Sequence, residues 1–159
     1  MDFRHPSREK KGMHLHKFKK PGVQYEIGIS ILGGDICWVE GPLPCGAYPD
    51  VKVFRCGLKG WLEEGERVEA DKGYRGECPS KAKIPHELYS RNKEVTKMKK
   101  KVAGRHETVN SRIKQYACMQ GLFRHDVMMH SACLRCVLVL VQLSIENGDE
   151  LFFPEYYNY

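Results

Sequence analysis

The chain lacks an uninterrupted apolar run of the roughly 20 residues that a membrane-crossing helix requires. Its longest apolar stretch, Val137 to Ile145, is broken by Gln142 and Ser144 and reads as a buried core helix, so no membrane partner is expected. The opening residues Met1-Asp2-Phe3-Arg4-His5-Pro6 have no apolar core of a signal peptide. Seven cysteines cannot all pair, and their scatter through apolar and helical stretches implies a reducing intracellular compartment. No second cysteine pair stands at zinc-finger spacing beside Cys133-Leu134-Arg135-Cys136. His125 and His130 are not at the three- or four-residue helical spacing of paired ligands either, which leaves Cys133 and Cys136 as core residues. There is no internal repeat. Hydrophobic residues at 42% and charged residues at 29% exclude disorder over the whole length.

What is present is enough chain, 159 residues, to bury a core without disulfide or metal staples. A net charge of +6 is compatible with a polyanionic partner. Residues 1–21 form a basic tail with Lys10, Lys11, Lys17, Lys19 and Lys20 and no usable periodicity. From residue 22 the patterning becomes regular. Tyr25 to Ile31 alternates, Gly33-Gly34-Asp35 is a turn and Ile36 to Val39 is a second run, which predicts a β-hairpin ended by Gly41-Pro42-Leu43-Pro44. Val51, Phe54, Leu58, Trp61 and Leu62 share a helical face, with Asp50 as N-cap and Gly65 as stop. Glu66 to Asp71 reads as a strand and Cys78 to Pro85 as a loop. A charged helix is predicted from Arg91 to Gln120 and a largely buried one from Phe123 to Asn147, ended by Gly121 and Gly148. Strands alternating with helices indicate an α/β fold with a mixed sheet.

Asp71 closes its strand beside the turn Lys72-Gly73-Tyr74, and Glu107 lies in the charged helix, with 35 residues between them. That gap accommodates a connection and a helix packed back over the sheet. Two carboxylates brought together in this way offer hard oxygen ligands to Mg²⁺ or Mn²⁺, the chemistry of phosphoryl transfer on nucleic acid. Each acid also has a plainer reading. Asp71 suits a strand-terminal turn, and Glu107 lies roughly 150° from the stripe Val102, Val109, Ile113 and Tyr116, where solvated glutamates go. The face of Glu107 carries Ala103, Gly104, Asn110 and Cys118, small enough to admit a strand end. Asp50 is an N-cap or a supporting acid behind the metal ligands. Lys99, Lys100, Lys101, Arg105 and Arg112 are candidate phosphate contacts or a solvated face, and the same cluster is a candidate nuclear-import signal.

An ordered series of motifs spans almost the whole chain. It comprises His16-Lys17-Phe18-Lys19-Lys20-Pro21-Gly22, Tyr25-Glu26-Ile27, Gly41-Pro42-Leu43-Pro44, Ala70-Asp71-Lys72-Gly73-Tyr74, Arg105-His106-Glu107-Thr108-Val109-Asn110 and Phe123-Arg124-His125. It resembles the DDE-superfamily transposase endonuclease domain of PIF/Harbinger and IS5-like elements. The resemblance implies a ribonuclease-H-like mixed sheet flanked by helices over residues 22–159, a divalent cation, and DNA as substrate in the nucleus. A separate DNA-binding accessory protein and self-association are implied with it. Asp71 would be the second metal ligand and Glu107 the third. The family's first carboxylate, in an Asp-Gly pair ending the central first strand, has no counterpart here. Residues 1–21 would be the remnant of that region, Asp2 is a poor substitute, and the chain is expected not to cut DNA. The missing strand would have bonded both the hairpin and the Asp71 strand.

Overall fold

In the computed structural model the described residues are 2–3, 22–85 and 92–156. Apart from residues 2–3, the basic segment 1–21 lies outside them, as do Arg91 and Tyr157. The elements are β1 (Asp2–Phe3), β2 (Val23–Ile29), β3 (Ile36–Pro44), α1 (Asp50–Cys56), β4 (Val68–Glu69), β5 (Ala82–Lys83), α2 (Lys93–Gln115), β6 (Leu122–Phe123) and α3 (Val127–Glu146). Short 3-10 segments cover Leu58–Gly60, Lys72–Glu77 and Ala117–Met119.

The hairpin β2–β3 forms because alternate residues of β2 are apolar. Tyr25, Ile27 and Ile29 pack on the main core, which leaves Glu26 and Gly28 for the other face. Ile36 and Val39 both reach that core although they are three apart. The register explains this: Gly28 faces Trp38 while Ile29 faces Ile36, so Cys37 is an extra, bulged residue that restores the pattern. A second irregularity, between Gln24 and Glu26, accommodates Gly41 at φ 118° and the proline beside it. The expected stop at Gly41-Pro42-Leu43-Pro44 is therefore inside β3, because a bulge needs no ladder donor from proline. Gly28 is required by close approach, since a Cβ there would lie 2.8 Å from Trp38 Cβ.

Two helices cover the apolar face of the hairpin. Val109 and Ile113 of α2 meet Leu134, Val137, Leu138, Val141 and Ile145 of α3, together with Met119 and Leu151. On the other face a Cβ at Gly57 would lie 3.1 Å from Trp38 Cζ2, and Phe54 meets the Tyr74 ring edge-on at 5.4 Å. Asp50 is the first residue of α1 rather than its N-cap, a position held by Pro49 with no side-chain cap bond. The helix ends at Cys56 rather than running on to Leu62. Within the span read as a loop, β5 pairs in parallel with β4. The apolar run Val137 to Ile145 belongs to a 20-residue helix that is, by length and composition, long and apolar enough to cross a membrane.

The fold is thus mixed α/β, with three separate two-stranded sheets among the described residues: β1–β6, β2–β3 and β4–β5. Pairs this small are marginal alone. Side chains of α2 supply the missing ties. Lys99 Nζ donates to the Ile84 carbonyl (3.3 Å) beyond β5, His106 Nε2 meets the Ile27 carbonyl of β2 (3.0 Å), and Arg105 Nη1 donates to the carbonyls of Ile31 and Leu32. A Cβ at Gly34, whose φ is +86°, would lie 2.3 Å from Arg105 Nη2, so glycine there gives the guanidinium its path across the hairpin turn.

Candidate functional site: a basic groove on α2 and an acidic cluster at Tyr74

Asp71 follows β4 and caps the 3-10 segment Lys72–Glu77, its Oδ1 accepting the Gly73 N–H at 2.7 Å. The turn chemistry that the Asp-Lys-Gly sequence suggests is realised, on an exposed side chain. The carboxylate that feels Asp71 is Asp50, whose pKa is raised first by partial burial and then by the charge of Asp71. Glu26 completes the neighbourhood. Its Oε1 accepts from the Tyr74 hydroxyl and its Oε2 from Trp38 Nε1, both at 3.1 Å. Burial raises the Glu26 pKa; the bonds from Tyr74 and Trp38 oppose the rise, and the charges of Glu40 and Asp50 add to it. Tyr74, ringed by Glu26, Asp50 and Asp71, is held well above the ordinary phenol range by burial and then by these charges. Asp50 is thus not the N-cap that its position suggests but an acid within electrostatic reach of Asp71, and Glu26 joins them without having been singled out from the sequence pattern. Its position beside Gly28 on the outer face of an alternating strand is the signal that marks it.

Glu107 is exposed on α2. The small residues around it do not admit a strand end: Ala103 is exposed, and a Cβ at Gly104 would lie 3.4 Å from Phe152 of the C-terminal segment. Asn110 is turned to His106 Nδ1 at 3.1 Å. Among the described residues no three histidine, cysteine, aspartate or glutamate side chains converge where they could hold a metal ion. Among the described residues a Mg²⁺ or Mn²⁺ ion with three carboxylate ligands therefore has no preformed site. Asp71 already spends one oxygen on a turn, and Glu26 spends both on a phenol and an indole.

The five basic residues divide in two. Lys99 forms a largely buried ion pair with Glu69 at 2.8 Å. Arg105 is 4% exposed, its pKa lowered by burial against a counter-effect from Asp35. Arg112 Nη1 is buried with no hydrogen-bond partner among the described residues. These three serve the interior. Lys100 and Lys101 instead line an open groove of about 610 Å³ with Lys93, Thr96, Lys97 and Phe152. The spacing could have shown this: Val95, Met98, Val102, Arg105, Val109 and Ile113 form one helical stripe in which Arg105 occupies a core position. Lys93, Lys97 and Lys100 form another.

The cysteine-histidine region also differs from expectation. Cys136 is exposed and Cys133 half-buried against the core. His130 is fully buried, with Nδ1 2.9 Å from the Tyr25 hydroxyl and its ring edge-on to Phe123. Burial lowers its pKa. Compared with family models, curated proteins and solved structures, the chain has no match in any of the three.

Proposed function

We propose that this chain is a DDE transposase-type domain, ribonuclease-H-like in descent, that holds DNA along the groove of α2 without cleaving it. The observation that carries the reading is the groove itself. Lys93, Lys97, Lys100 and Lys101 supply positive charge along about two helical turns, and Phe152 offers an aromatic face beside them. The ordered motif series supports the descent. By that resemblance Asp71 and Glu107 stand at the positions of the second and third family acids. Among the described residues no three acids converge, which supports binding rather than cleavage.

The test has two arms. Fluorescence anisotropy with a labelled DNA duplex is expected to show binding that weakens steeply between 50 and 200 mM salt, with a log–log slope on the order of −3 to −4 for four phosphate contacts. The double variant Lys97→Glu/Lys100→Glu abolishes it. Plasmid nicking with Mg²⁺ or Mn²⁺ stays at background for the parent chain and for Asp71→Asn alike. Absence of DNA binding at low salt sinks the groove reading, and cleavage that Asp71→Asn removes sinks the non-catalytic one.

A further inference from the structure

Nine large hydrophobic side chains are conspicuously exposed among the described residues, and five of them, Met128, Met129, Val139, Leu140 and Leu143, lie on α3. The inner face of α3, with His130, Leu134, Val137, Val141 and Ile145, is already filled by the core. Its outer face is apolar as well, and its spacing is specific. Met129, Ala132, Cys136, Val139 and Leu143 follow one another at intervals of three, four, three and four. That is the repeat of a seam between two helices, whereas a helix lying against a sheet has no need of it. The small residues Ala132 and Cys136 occupy the middle, where two helix backbones approach most closely.

We propose that two copies of this chain pair through the outer faces of α3, antiparallel, about a two-fold axis near Cys136. An axis there sets Met129 of each copy against Leu143 of the other. Charge favours that direction. Exposed Arg124 and His125 precede the helix, and exposed Glu146, Asp149 and Glu150 lie at its other end. Antiparallel pairing sets the basic end against the acidic end and opposes the two helix dipoles, whereas parallel pairing stacks like on like. Asp126 also lies at the basic end, but its carboxylate is turned onto its own helix, accepting from Met128 N at 2.6 Å. Arg135 flanks the seam near the axis. The five large side chains are 48% to 71% exposed; Met129, Val139 and Leu143 lie on the seam itself, and Met128 and Leu140 flank it. An apolar face of this kind on a folded chain marks an interaction site. A bilayer surface fits less well, because the flank holding Glu146, Asp149 and Glu150 is repelled by anionic lipid.

Sedimentation velocity and light scattering on the full chain test this without reference to DNA. The expected mass is twice 18.3 kDa. Leu143→Glu and Val139→Glu, both at exposed positions, are expected to raise the dimer dissociation constant at least tenfold while leaving the helical circular dichroism unchanged and removing the concentration dependence of the thermal midpoint. Arg124→Glu weakens pairing, and adding Glu150→Lys in the same chain restores it, a rescue that only the antiparallel arrangement gives. Mild oxidation cross-links the parent through Cys136, and Cys136→Ser abolishes that product. A parent that stays monomeric at tens of micromolar overturns the proposal. So does a Leu143→Glu variant whose only change is loss of binding to phosphatidylcholine–phosphatidylserine vesicles.

Discussion

The two long helices, 23 residues in α2 and 20 in α3, pack against each other and the same hairpin, yet divide their labour differently. The inward side of α2 is part apolar and part polar: Val109 and Ile113 fill the core while Lys99, Arg105 and His106 donate to main-chain carbonyls of two strand pairs. Its outward side is lysine-rich. The inward side of α3 is almost wholly apolar, and so is its outward side. A helix with a charged outer surface is satisfied by water or by a polyanion. One apolar all round leaves surface that water does not favour.

This contrast predicts unequal consequences for substitutions on the two helices. The largest effect is expected at the inner polar side of α2. Arg105→Ala removes the donor to the Ile31 and Leu32 carbonyls and opens space beside Leu151, at an expected cost of about 2–4 kcal/mol in urea denaturation. Arg105→Lys, lacking the planar fork, recovers only part of that.

Acidification probes the inner side of α3. The His130 pKa is lowered in the folded chain. The unfolded state therefore binds the extra proton first, and stability present above the ordinary histidine value is lost as pH falls from there through the folded value. Glu77 acts in a lower window. Its bonds from Lys59 (2.6 Å) and then Arg55 (2.5 Å) hold its pKa below the usual carboxylate value, so its contribution is lost only as pH falls through that range. Denaturation midpoints are expected to fall in two steps, one below the ordinary histidine value and one below the ordinary carboxylate value, with a partial recovery between them as Glu26 and Asp50, whose pKa values are raised, take up protons. The upper step is absent in His130→Phe and the lower one in Glu77→Gln. An upper step that persists in His130→Phe contradicts the assignment.

The smallest effect is expected on the outer side of α2. Lys97→Ala and Lys100→Ala should each change stability by less than about 0.5 kcal/mol. Each should also lower the magnitude of the DNA-binding salt slope by about one. If instead they destabilise the chain as Arg105→Ala does, the division of the basic residues into interior and groove is wrong.

Much of the local structure was legible in the residues. Alternation located β2, Asn147 and Gly148 marked the far end of α3, and the turn after β4 was visible in Asp71-Lys72-Gly73, whereas α2 ends at Gln115, capped by Tyr116, short of the expected Gly121. Gly148, at φ 115°, marks the end of α3 as its position suggested. The strand through Gly41-Pro42-Leu43-Pro44 was not legible, because a bulge removes the penalty that proline normally carries in a ladder. Nor was the two-residue length of β4 and β5, since strand length depends on the partner available. Of the candidate site, the turn-capping role of Asp71 was legible, whereas the N-cap expected at Asp50 is not formed. The inward turn of Lys99, Arg105 and Arg112 was missed, because a count of positive charges ignores the helical angle at which each one points.

The sequence by itself determined the hairpin, the two long helices and a surplus of positive charge, all of which follow from short-range spacing and turn chemistry. Only the tertiary structure decided which charges face outward and which acids gather around Tyr74. It also decided that α2 ties separate strand pairs together through its side chains and that, among the described residues, one face of α3 is left exposed. Those outcomes depend on contacts between residues distant in the chain, such as Arg105 with Ile31 and Tyr74 with Glu26, and no local pattern encodes them.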